Sequence, residues 1–127
     1  MQQLMTEEGP LNDQLLAIKA AATTLDGAAV KTAASGATRL SQLLQFSAAL
    51  TPAQVAANTS AEQAFAVAGV AVGDLLASAI KPSATAGIGI VNARVSGVNQ
   101  VSITFMNNTA GAITPPAETY AFVIARP

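Results

Sequence analysis

Two stretches of this chain alternate with a period of two: Val101, Ile103 and Phe105 are interleaved with Ser102 and Thr104, and Tyr120, Phe122 and Ile124 with Thr119, Ala121 and Val123. Successive side chains of an extended strand point to opposite faces, whereas a helix repeats its apolar stripe every three to four residues. Both stretches are therefore half-buried β-strands, and whatever else the chain does must be built around a sheet.

Weaker strand candidates precede them at 46–50, 54–57, 63–68, 74–80 and 87–95. Between the candidates stand Asn58-Thr59-Ser60, Ala68-Gly69, Val72-Gly73-Asp74, Lys81-Pro82-Ser83, Ser96-Gly97, Asn107-Asn108 and Pro115-Pro116. Each of these groups carries turn chemistry: glycine for positive φ, proline for a fixed φ, and Asn, Asp or Ser for local hydrogen bonds to the backbone. Roughly eight short strands at such spacing predict a mainly β fold, an antiparallel β-sandwich or jelly roll, with a barrel as the other closed solution.

The first third reads differently. Leu11, Leu15, Ile18, Ala22 and Leu25 are spaced 4-3-4-3, with Leu4 seven residues ahead, which is the stripe of an amphipathic helix. Pro10 suits a first helical turn, Asn12 or Asp13 can cap orphan amides, and Asp26-Gly27 is a stop signal, so the helix is expected over 10–25. Two heptads are too short to stand alone in water, so the seam must pack on its own domain or on another molecule. Residues 28–44 are small and polar and read as a connector, with a second short helix expected at 38–45. The expected organisation is a helical arm and connector over 1–45 and a β-domain over 46–127.

Chemistry is restricted by what the chain lacks. It has no Cys and no His, which removes thiol nucleophiles, imidazole acid–base catalysis, zinc-finger ligand sets and Ser-His-Asp triads. Of its carboxylates, Glu62, Asp74 and Glu118 fall at expected strand starts, where solvation or turn capping is their ordinary role. No enzyme activity, cofactor, metal or small-molecule substrate is expected. Gly87-Ile88-Gly89 has two glycines of a dinucleotide fingerprint, but no third glycine stands at Asn92 and no helix follows, so it reads as a strand closely approached by a neighbour. Lys81, Arg94 and Arg126, the basic residues of the β-region, are expected to pair with Asp74, Glu62 or Glu118 wherever they are partly buried. The polar run Asn107 to Thr109 is a candidate loop tip for sugar recognition, although the chain has no Trp and one Tyr to supply an aromatic platform.

Charged residues make up 10% of the chain and hydrophobic ones 51%, against about 25% charged in an average soluble domain. So few charges imply either that partners cover part of the surface or that small alanines occupy it. A net charge of −1 with six scattered basic residues offers no stripe for phosphate, so nucleic acid is not an expected partner. Glu7 and Glu8 stand where a secretory leader needs basic residues, and the apolar run 64–80 is interrupted by Gly69, Gly73 and Asp74, so neither a leader nor a membrane span is expected.

The order of several short motifs resembles a small β-domain of tailed-phage virion proteins, in particular head decoration (cement) proteins. These motifs are TSAEQAFAVAGVA at 59–71, Val72-Gly73-Asp74, Ile80-Lys81-Pro82-Ser83-Ala84, the run AGIGIVNARV at 86–95, Ile103-Thr104-Phe105, Asn107-Asn108-Thr109, Ile113-Thr114-Pro115 and Glu118-Thr119-Tyr120. The similarity spans the chain from Leu50 onward. It implies a compact sandwich or jelly roll, a homotrimer at three-fold positions on the outer surface of the capsid, and the major capsid protein as partner. Leu11, Leu15, Ile18 and Leu25 of the seam are then the expected interface, with Phe46 and Leu50 as anchors where the arm enters the domain. A tail-fibre or receptor-binding module that recognises host carbohydrate is the alternative for the same strand pattern.

Overall fold

The computed structural model describes residues 35–127. The expected helix over 10–25, and with it Leu11, Leu15, Ile18 and Leu25, lies outside the described residues.

Six strands form the described fold: β1 Gln42–Leu50, β2 Thr59–Ala66, β3 Leu75–Ile80, β4 Ile88–Gly97, β5 Gln100–Asn107 and β6 Glu118–Arg126. They make two three-stranded sheets, β1-β6-β3 and β2-β5-β4. β5 is antiparallel to both its neighbours and β3 is antiparallel to β6. The two strands with the cleanest alternation, β5 and β6, are the central strands. A central strand must satisfy a pleated core face along its whole length, which is why its pattern is the sharpest.

One core serves both sheets. Val101, Ile103 and Phe105 from β5 meet Tyr120 and Phe122 from β6, together with Leu50, Val55, Val67 and Val70. Phe105 stands edge-to-face against Phe65 in its own sheet, with ring centroids 6.4 Å apart, and against Tyr120 of the opposite sheet at 6.5 Å. Such perpendicular aromatic pairs add about 0.5–1.5 kcal/mol each beyond the area they bury.

Three local expectations are corrected. The short helix expected at 38–45 is not formed: 38–41 carries no helical turn, and β1 opens at Gln42. Leu44, Phe46, Ala48 and Leu50 turn toward the core at period two while Leu43, Gln45, Ser47 and Ala49 stay exposed, and packing overrides the helix propensity of Ala, Gln and Leu. The strand expected at 54–57 reduces to a single bridge, Val55 to Ile113. Asn58 takes φ 50° immediately after it and turns the chain away. That turn is shorter than expected, since Thr59 and Ser60 already belong to β2, which begins ahead of the expected 63–68. The polar Gln63 faces inward on β2 and closes the gap beside it: its Oε1 accepts from Ala53 N at 2.7 Å and its Nε2 donates to Ala53 O at 2.9 Å.

Candidate functional site

The three carboxylates of the described residues are each held by one cation, in the set of partners expected from sequence. Lys81 Nζ lies 2.7 Å from Glu118 Oε1 in a largely buried pair. Lys81 Nζ also donates to Ser83 O and Oγ and to Thr85 Oγ1. Arg94 donates through Nε and Nη2 to Glu62 at 3.0 and 2.8 Å in an exposed pair. Arg126 grips Asp74 through Nε and Nη2 at 2.8 and 2.7 Å, and its Nη2 also donates to Gly69 O. In each pair the cation holds the carboxyl below its ordinary pKa. A general acid needs the opposite shift, so these groups are arranged to stay charged and to lock strands and loops together.

The Asn107 to Thr109 run is turned inward. Asn107 is fully buried; its Nδ2 donates to Val55 O at 3.1 Å and to Gly111 O at 2.8 Å, and its Oδ1 accepts from Thr109 N and Thr109 Oγ1 at 2.9 and 2.7 Å. Both amide donors and the carbonyl are therefore occupied within the protein. The sugar-recognition reading of this run loses its main polar residue for that reason.

Gly87 behaves as the close-approach reading requires: it has φ +79°, and a Cβ placed there would lie 2.2 Å from Thr109 Cγ2. At Gly89 a Cβ would meet nothing within 4 Å. The adjoining groove, about 340 Å³, is lined by residues 87–91 with Met106 and Asn108. Its lining carries no ionisable side chain.

Of the two expected anchors, Leu50 is 3% exposed in the core and Phe46 packs against that core. Leu50 is thus part of the domain's own core, and Phe46, partly buried, packs against it. The sequence reading missed the exposed apolar residues instead. Leu43, Val72, Leu75, Ile80, Val91, Val98 and Met106 all reach solvent. Single aliphatic residues in loops and at strand ends carry no periodic signal, and their exposure follows only from the register.

Outer faces of the two sheets differ in charge. On β2-β5-β4 the Glu62–Arg94 pair spans the surface, beside Ser60, Asn92 and Thr104. On β1-β6-β3 the outward positions are Leu43, Gln45, Ser47 and Ala49 of β1, Thr119, Ala121, Val123 and Ala125 of β6, and Leu75, Ser78 and Ile80 of β3. None of these carries a formal charge.

No family model, curated protein or solved structure matches this chain.

Proposed function

We propose that the protein is a non-enzymatic structural component of a phage virion, a β-sandwich decoration protein that self-associates and bridges major capsid proteins on the outer surface of the head. The observation that carries this reading is the uncharged outer face of β1-β6-β3. A solvated sheet normally sets charged or strongly polar residues on its outward positions, whereas a face of Ala, Val, Leu, Ser and Thr can be covered at low desolvation cost. The motif order from Leu onward at position 50 and the seam expected over 10–25 add to this, because a cement protein needs a rigid body and an arm. Mechanically, several modest contacts act together: once one is made, the others become intramolecular. Preferential binding to the expanded shell then stabilises that shell by mass action.

The test is a cryo-EM map of particles from the source phage. Density fitting this chain at three-fold positions on the shell is the expected result. Density on the tail would replace the proposal with the receptor-binding alternative, and particles without the chain would refute both.

A further inference from the structure

We infer that copies of this chain meet end to end through the end of the β-domain that carries Leu43, Val72, Leu75 and Val98. This deepens the proposed function by naming the surface of self-association, and it rests on that reading.

Topology brings these four residues together. Val98 is the tip of the β4–β5 hairpin, and the neighbouring Asn99 binds that tip to the β2–β3 connection: Asn99 N donates to Val70 O at 2.8 Å, and Asn99 O and Oδ1 accept from Val67 N and Gly69 N at 2.9 and 2.8 Å. Val72 lies in the same connection and Leu75 opens β3 directly after it. Leu43 lies near the start of β1, and the same strand's Phe46 ring closes on Gly69, where an added Cβ would stand 2.7 Å from it. The far end of β1 leads to Val55 and its bridge to Ile113, at the opposite end of the domain.

Their exposures are 63, 74, 58 and 69% in the order Leu43, Val72, Leu75 and Val98. Four of the most exposed large aliphatic side chains thus stand at one end. Beside them Asp74 and Arg126 neutralise each other at 2.7 Å. An apolar end whose neighbouring ion pair is internally neutralised releases water from aliphatic surface on contact with its own copy.

The position of the chain entry selects the occupant. Residues preceding β1 join the domain at this same end, and they include the heptad-spaced residues Leu11, Leu15, Ile18 and Leu25. A seam with that repeat is suited to pairing with copies of itself. Any such pairing raises the effective concentration of the apolar ends of the same copies.

The experiment uses the free full-length chain, so that its result is independent of capsid binding. Sedimentation velocity over a wide concentration range is expected to show an oligomer for the natural sequence and loss of that oligomer in Val72→Asp/Val98→Asp, with an unchanged circular dichroism spectrum. Hydrogen exchange of the natural chain gives a second readout that does not depend on the variant folding: amides at 72–75 and 98–99 should gain protection as concentration rises. A monomer at every concentration overturns the inference, as does an oligomer that survives the double substitution. Protection at these amides that does not change with concentration also overturns it, assigning the end to the chain's own N-terminal segment.

Discussion

Asp74 and Arg126 are separated by 52 positions and meet in a two-pronged ion pair, Nε to Oδ1 at 2.8 Å and Nη2 to Oδ2 at 2.7 Å. The pair ties the loop before β3 to the end of β6, and it is unequal: the Asp74 side chain is 2% exposed and that of Arg126 is 28% exposed. Removing the partner of a buried charge is worse than removing the partner of a charge that can rehydrate. Arg126→Ala is therefore expected to lower the thermal midpoint more than Asp74→Ala. Equal losses would mean that the two ends of the pair are desolvated alike.

Acid should act through the same groups. Hydrogen bonds from Arg126 lower the Asp74 pKa from 3.8, burial opposes them, and the Ala71 amide and the Arg126 charge lower it further. Glu62 and Glu118 are lowered from 4.5, first by Arg94 and Lys81 respectively. A carboxyl with a depressed folded pKa contributes stability that is present above its unfolded value and is lost as pH falls through the folded one. Urea midpoints should therefore be level above about pH 5 and decline as pH falls through the ordinary carboxylate range toward the lower folded values. In Arg126→Ala the Asp74 contribution reverses and the decline becomes shallower. An acid limb of unchanged steepness in that variant would assign it to the other carboxyls.

Asn107 is the polar centre of the opposite end. Replacing it by Ala leaves Thr109 N without its acceptor and takes one of two donors from Val55 O and from Gly111 O, which keep Ile113 N and Thr109 Oγ1. With about 1–3 kcal/mol for the one donor left unpaired and about 0.5–1.5 kcal/mol for each further bond lost, offset by relaxation of the loop, Asn107→Ala should cost about 3 kcal/mol. Hydrogen exchange at Thr109 should accelerate along with the fall in denaturant midpoint. A loss below about 1 kcal/mol would show that water replaces the side chain freely.

These residues also mark what could be read from sequence. The set of partners of Lys81, Arg94 and Arg126 was legible because three cations and three carboxylates in a charge-poor β-region have few alternatives, but which cation meets which carboxylate follows only from the fold. β5 and β6 were legible because central strands enforce alternation. β1 was obscured because its core face uses Leu44, Phe46, Ala48 and Leu50 within a run of Ala, Ser and Gln that also suits a helix. Asn107 was misread because an Asn followed by Asn and Thr is turn chemistry whether its amide faces out or in, and only the approach of Val55 and Gly111 decides the direction. The apolar end could not be read at all, since Leu43 and Val98 lie far apart in the chain and only the fold makes them neighbours of Val72 and Leu75.

Two glycines separate backbone strain from steric conflict. Gly73 has φ +93° and open space around a would-be Cβ, so Gly73→Ala should cost only the left-handed penalty, about 1 kcal/mol. Gly87 has φ +79° and Thr109 Cγ2 at 2.2 Å from a would-be Cβ. Thr109 cannot swing aside without breaking its hydroxyl contacts to Asn107 and Gly111. Gly87→Ala should therefore cost about 3 kcal/mol, strain and overpacking together. Equal costs in chemical denaturation would mean that Thr109 is free to move.

Tyr120 gives an alkaline counterpart to the acid prediction, and it is readable without labels because the chain has one Tyr and no Trp. Its ring is fully buried in the core. Burial first, and then the nearby Glu118 carboxylate, push its pKa from 10.0 up to about 12. A group whose folded pKa is raised contributes stability that is complete below its unfolded pKa and is lost as pH rises through the folded one. Between about pH 10 and 12 the unfolded chain gives up the phenolic proton while the folded protein retains it. Ultraviolet titration of the native protein should accordingly show phenolate appearing near pH 12, and denaturant midpoints should fall across the same interval. Tyr120→Phe should flatten the part of the alkaline limb that belongs to this group. A native titration midpoint at the ordinary tyrosine value, with the fold intact, would mean that water reaches the hydroxyl and that the two sheets do not close over β6 at this position.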